Sequence, residues 1–146
     1  MTEGLLTFRV NKPPEAVFPF VGNLERAPEW VPDLLTMQKV GDEPVGVGTR
    51  YDETVRMGSK TSKATLEVTE YDPPYAFAHK GQGGPSHFTA RFVLKPDGHA
   101  TIVTHEYSVA LTGLARLLSP VIHGWVRRNA EAGIENLKRL VEDGGA

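Results

Sequence analysis

Tyr51, Glu53, His79, His105 and Tyr107 are the residues best suited to handle a proton or a polar ligand atom, and each falls on the inward side of an alternating segment. An imidazole among apolar side chains stays neutral, and can accept a hydrogen bond or serve as a base. A carboxylate facing a cavity needs a cation, water or a raised pKa. In a catalytic arrangement, a histidine or Glu53 would remove an acidic proton beside a carbonyl, which a tyrosine or asparagine would polarise. His79, Glu53 and His105 are therefore the catalytic candidates. The plainer reading is that each histidine is paired with a neighbour, that Glu53 reaches solvent or an arginine at a strand end, and that the tyrosines are walls.

Several enzyme signatures are missing. His105-Glu106 begins a zinc-protease pattern, but no histidine follows four residues on. The five histidines lack close metal-ligand spacing, and alternation puts His79 and His87 on opposite faces. There is no Gly-x-Ser-x-Gly elbow, and Gly46-Val-Gly48 leads into a strand rather than a helix. Without cysteine, the chain has no disulfide, thiolate nucleophile or cysteine-held metal. Neither a metal nor a cofactor is expected.

The elements that must position these residues read as a meander. Leu6, Phe8 and Val10 alternate with polar neighbours, as in a half-buried strand. Asn11-Lys-Pro-Pro ends it, and a short helix is expected over Glu15–Gly22, made irregular by Pro19. A helical turn follows over Leu24–Trp30, then a weaker strand over Leu34–Val40 whose facing is open. From Thr49 onward the period of two is clear, with turns at Gly58-Ser59, Asp72-Pro-Pro, Gln82-Gly-Gly-Pro and Lys95-Pro-Asp-Gly-His. Such a pattern predicts an antiparallel sheet with one solvated face.

Hairpin turns set register, so cross-strand rows can be written. Tyr51 falls opposite Leu66 and Glu53 opposite Ala64; Leu66 falls beside His79, His79 beside Phe88, and Phe88 beside Tyr107. The expected row across the concave face is thus Tyr51, Leu66, His79, Phe88, Tyr107. The same register sets Phe77 beside Ala90 and Ala90 beside His105. His79 and Tyr107, two strands apart, would have Cα atoms roughly 9–10 Å apart, a span that suits a small molecule held between them.

A long helix is expected over Ser119–Glu142, with Ser119 as N-cap and Pro120 first in the helix. Val121, Ile122, Trp125, Val126, Ala132, Gly133, Leu137 and Leu140 share its apolar side, interrupted by Asn129 and Asn136. A helix facing only a dry core would rarely spend two positions on amides. It is therefore expected to roof a cavity against the sheet. The ligand-binding set is Tyr51, Glu53, His79, Phe88, Phe92, His105, Tyr107, Trp125 and Asn129.

At 146 residues the chain has the length of one domain, expected over 1–146. A net charge of −2 argues against nucleic acid as a partner. No apolar run has membrane-spanning length, and the N-terminus lacks a signal peptide, so a cytoplasmic protein is expected. A homodimer is left open.

Particular stretches carry a resemblance: KPPEAVFPFVGNLERAPEWVPDLL, VGVGTRYDETV, LEVTEYDPPYAF and the closing NLKRLVE. With the element order, they are similar to the START-like (SRPBCC) superfamily, and within it to the polyketide cyclase/dehydrase-like group. The likeness covers nearly the whole chain and implies an α+β helix-grip fold, a curved antiparallel sheet around a long C-terminal helix. It also implies a cavity for lipids, polyketides or other apolar molecules. Three functions follow as expectations: binding or transport of a hydrophobic or aromatic small molecule; a polyketide cyclase, aromatase or dehydratase using general acid/base catalysis; or an interaction module with a vestigial cavity.

Overall fold

The computed structural model describes residues 2–144. Seven antiparallel strands form one sheet: β1 (Thr2–Val10), β2 (Leu34–Val40), β3 (Arg50–Met57), β4 (Lys60–Asp72), β5 (Ala76–Gly83), β6 (Ser86–Asp97) and β7 (Ala100–Leu111). Their order is β1-β7-β6-β5-β4-β3-β2, so only β1 leaves the chain order, pairing with β7. Helix α1 (Pro14–Val21) and a 3-10 helix (Leu24–Glu29) fill the crossover from β1 to β2. A second 3-10 helix (Gly113–Leu118) runs directly into α2 (Ser119–Gly144). This is the helix-grip fold anticipated from the sequence.

Buried apolar residues explain the assembly. Val10, Leu94 and Val103 of the sheet, Val17, Phe18 and Val21 of α1, and Leu137 and Val141 of α2 belong to one core. Phe18 stands edge-on to both Phe77 and Tyr71, closing one end of the sheet. The backbone N–H of Asn11 donates to the Glu142 carboxylate at 2.8 Å, tying the end of α2 to the loop after β1.

The hairpins are tighter than their turn sequences suggest, and the register moves with them. Gly84-Pro85 and Gly98-His99 make two-residue turns, with Gly83 opposite Ser86 and Asp97 opposite Ala100. Both glycines adopt positive φ, 55° and 63°, which side-chain-bearing residues rarely accept. Each tightening shifts pairing by two positions, which preserves facing but changes neighbours. His79 therefore pairs with Ala90 rather than Phe88, Ala90 with Tyr107 rather than His105, and Phe77 with Phe92 rather than Ala90. Phe88 falls beside Gly81 and Val109, and the turn between Asp72 and Ala76 together with a bulge between Val68 and Glu70 puts His79 opposite Val68 instead of Leu66. Tyr51–Leu66 and Glu53–Ala64 pair as expected from the Gly58-Ser59 turn. A bulge between Leu34 and Thr36 turns both Leu34 and Met37 inward, which is why alternation could not settle the facing of β2.

The long helix also differs in detail. Ser119 is itself helical, and its hydroxyl donates back to the Arg116 carbonyl at 2.8 Å instead of capping α2. The buried face is carried by Gly133, Ile134, Leu137 and Val141, while Val121 and Ala132 are exposed. Val121 and Ala132 thus leave the expected apolar side and Ile134 and Val141 join it, while Ile122, Trp125, Val126, Gly133, Leu137 and Leu140 keep their inward places.

Candidate functional site

Between the concave face of the sheet and α2 lies a cavity of about 450 Å³. Its floor includes Ala64, Leu66, Phe88 and Ala90, and its roof Ile122, Trp125, Val126, Asn129 and Gly133. Small residues make the room: Ala90 separates His79 from Tyr107 in one cross-strand row, leaving open space above it. Of the residues expected to bind ligand, Glu53, His79, Phe88, Phe92, His105, Tyr107, Trp125 and Asn129 line this space. Tyr51 does not. Its ring is fully buried in the core, where desolvation, then Glu25 and Tyr71, push the phenol up to about 12.

Two ends can be distinguished. At the closed end, His105 stacks flat on Phe92 with ring centroids 4.1 Å apart, and Trp30 meets the same Phe92 edge-on at 6.0 Å. His105 and Tyr107 have ring centroids 5.6 Å apart. The Nδ1 atoms of His79 and His105, the Tyr107 hydroxyl and the Trp30 indole N–H are buried without a hydrogen-bond partner among the described residues. Burial drives both imidazoles down to about 4, His105 being lowered further by His79, so both are neutral at neutral pH. His79 on β5 and His105 and Tyr107 on β7, with β6 between, line one cavity and bring three unsatisfied polar groups to it, where a ligand can supply their partners.

The other end is the mouth. Leu118 lines the cavity and is 56% exposed, and Pro85 lines it from the exposed β5–β6 turn. The cavity therefore reaches the surface between that turn and the second 3-10 helix. Around it, Leu114, Leu117 and Val121 are 87%, 80% and 69% exposed, an apolar rim. Glu53 lies towards this end, two cross-strand rows from His79. Desolvation alone raises its carboxyl to about 7.

The two asparagines of α2 have a bracing role. Asn129 Nδ2 donates to the Pro32 carbonyl at 2.8 Å, and Asn136 Nδ2 to the Trp30 carbonyl at 3.0 Å. Gly133, between them, faces Trp30 and Pro32 closely enough that a methyl there would touch both. These contacts seat Trp30 over the closed end. Trp30, Met37, Ala115 and Ile122 also line the cavity and were not among the expected site residues. The tryptophan had a visible signal in the two asparagines seven apart, which mark a backbone segment docked on the helix. Ala115 and Ile122 follow only from the path of the second 3-10 helix, which alternation does not reveal.

Among the described residues, no group of His, Asp or Glu is arranged to hold a metal ion. None of the described helices is long and apolar enough to cross a membrane.

A curved seven-stranded sheet gripping a C-terminal helix over an apolar cavity defines a class of small-molecule-binding folds. The sequence profile described as polyketide cyclase/dehydrase and lipid transport matches residues 2–142, and the chain belongs to that family. Solved structures share the fold across nearly the full length. The protein TTHA0849 from Thermus thermophilus is 20% identical with a TM-score of 0.82, the match covering 99% of each chain. A START superfamily protein from Mycobacterium smegmatis is 16% identical with a TM-score of 0.82, covering 97% of this chain and 98% of that one. The ZhuI aromatase/cyclase from Streptomyces sp. R1128 is 16% identical with a TM-score of 0.78, covering 99% and 98%. No curated protein sequence gives a significant match. Family and fold together support hydrophobic ligand binding or a cyclase-like function.

Proposed function

We propose that this protein binds and carries an apolar or aromatic small molecule, lipid-like or polyketide-like, in the cavity between sheet and α2. The observation that carries this reading is the closed end, where His79, His105 and Tyr107 line the cavity while their Nδ1 and hydroxyl atoms are buried and unpartnered among the described residues. A ligand hydroxyl or carbonyl would satisfy them, and the apolar walls would take its body. The volume lies within the roughly 300–1,000 Å³ usual for ligand sites, which favours a working cavity over a vestigial one. Native mass spectrometry of the purified protein, with identification of any retained small molecule, tests the proposal. Ala90→Leu supplies the control. It should weaken binding of a neutral naphthyl dye at least tenfold while leaving the melting temperature unchanged or higher, because the added side chain enters the cavity. A loss of about 1–3 kcal/mol would instead show residue 90 to be tightly packed and would overturn the reading.

A second reading, polyketide cyclase, aromatase or dehydratase chemistry, draws support from Glu53. Its carboxyl near 7 is matched to proton transfer at neutral pH, whereas imidazoles near 4 are free to accept a proton but accept it weakly. Glu53 lies two cross-strand rows from His79, with the Tyr51–Leu66 row between them, so the arrangement favours holding over turnover. Once a ligand is in hand, His79→Gln discriminates. A fall of ~10²–10⁴-fold in turnover with binding retained would mark a catalytic base; a small, equal change in both is expected.

A further inference from the structure

Glu53 is the one carboxylate among the described residues lining the cavity, and no lysine or arginine lines it with them. Its cross-strand neighbours are Met37 and Ala64, and Tyr51 and Val55 flank it on the same face of β3. None of these can neutralise it. No ion pair among the described residues includes it, although six arginine–carboxylate pairs elsewhere are satisfied. An acid placed merely for solubility would project from the outer face of β3, as Asp52 does. Glu53 instead points into an apolar chamber, where an ionised carboxylate is stable only beside a cation.

We propose that the ligand carries a protonated amine, held by Glu53 near the mouth, while its apolar body lies along the cavity and a neutral oxygen function meets His79, His105 and Tyr107. This rests on the binding function proposed above and specifies its ligand class. The amine supplies the countercharge that the protein omits, and the low dielectric of the chamber strengthens the resulting charge-assisted hydrogen bond. The two ends then discriminate differently. The closed end, with neutral imidazoles and a phenol, accepts uncharged hydrogen-bonding groups and rejects a cation. The mouth selects a cation and rejects an anion. A molecule with an amine at one end and a hydroxyl or carbonyl at the other would enter in one orientation only.

Three probes of one shape test the idea: naphthylmethylamine, naphthylmethanol and naphthoic acid, each displacing the neutral dye N-phenyl-1-naphthylamine at pH 8. The amine should bind at least tenfold more tightly than the alcohol, and the acid most weakly. In Glu53→Gln, with its fold verified by circular dichroism, amine and alcohol affinities should converge. The amine's advantage should also shrink as pH is lowered from 8 to 5, since Glu53 takes up a proton through about 7. The two histidines lining the cavity leave that window clear at its upper end, since His79 and His105 lie near 4, and the Tyr107 hydroxyl stands at the far end from Glu53. An amine that binds no better than the alcohol, or an advantage that survives Glu53→Gln, would overturn this inference while leaving the binding function standing. Failure of the dye itself to bind the parent protein would overturn both.

Discussion

At the closed end of the cavity, His105 lies on Phe92, Trp30 stands against the same ring, and two asparagines of α2 hold the backbone beneath them. At the mouth, Leu114, Leu117, Leu118 and Val121 face outward, and none of the second 3-10 helix is buried. One helix serves both ends, but only its C-terminal half has an apolar core to bury. Ile134, Leu137 and Val141 are buried there, whereas Val121 and Trp125 of the first half border either solvent or the cavity. A fold can in this way combine a fixed binding surface with access: packing is complete where polar groups must be aimed and is withheld where a ligand must pass.

The strongest way to break this contrast is to delete packing at each end. Leu137→Ala, at a fully buried position, should cost about 2–5 kcal/mol in chemical denaturation. Comparable costs for Leu137→Ala and Leu117→Ala would mean the two halves are equally packed.

Protons sharpen the contrast, because the two ends respond with opposite sign. His79 and His105 sit near 4 against an ordinary 6.5, so in acid the unfolded chain binds protons that the folded chain refuses. Their contribution to stability is present above 6.5 and is lost as pH falls towards about 4. Glu53 sits near 7 against an ordinary 4.5, so the folded chain keeps a proton that the unfolded chain has released. Its contribution is present below 4.5 and is lost as pH rises through about 7. Each effect is worth about 3 kcal/mol at most. Melting temperatures across pH 4–8 should lose part of their acid-side fall in His79→Gln and part of their neutral-side fall in Glu53→Gln. Unchanged pH profiles in both variants would refute the burial of these groups.

Removing one asparagine clip should have a smaller effect. Asn136→Ala leaves the Trp30 carbonyl without its side-chain donor and should cost about 1 kcal/mol. Asn136→Asp, which cannot donate, should lose as much or more; full stability in the aspartate variant would deny the hydrogen bond its role.

The smallest effect is expected at the rim. Leu117→Ser should alter stability by no more than about 0.5 kcal/mol, and a larger loss would place Leu117 in a packed interface.

Much of this architecture was legible in the sequence because period-two alternation fixes which residues face inward, and a two-residue slip does not alter it. His79, His105, Glu53 and Tyr107 therefore face inward as read, although their neighbours changed. The neighbours depended on turn length, and Gln82-Gly-Gly-Pro fits either a two- or a four-residue loop until Gly84 is seen at positive φ. Tyr51 shows another limit: inward facing does not distinguish a wall of the cavity from the packed core beside it. Asn129 and Asn136 show a related limit. The helix pattern showed amides on the inner side, but only three-dimensional contact shows that they reach the Trp30–Pro32 backbone.

The rings of Tyr107 and Phe88 lie across Gly4 and Gly81 on the neighbouring strands, in the space a methyl group would occupy. These two glycines are notches that let large rings recline on the sheet instead of standing up in the chamber. The ceiling height available to a guest is thus governed from beneath the rings, by backbone positions that never touch it. A lineage needing a narrower chamber would not have to alter any wall residue. One carbon added at Gly4 or Gly81 would tilt a ring upward and resize the space above it.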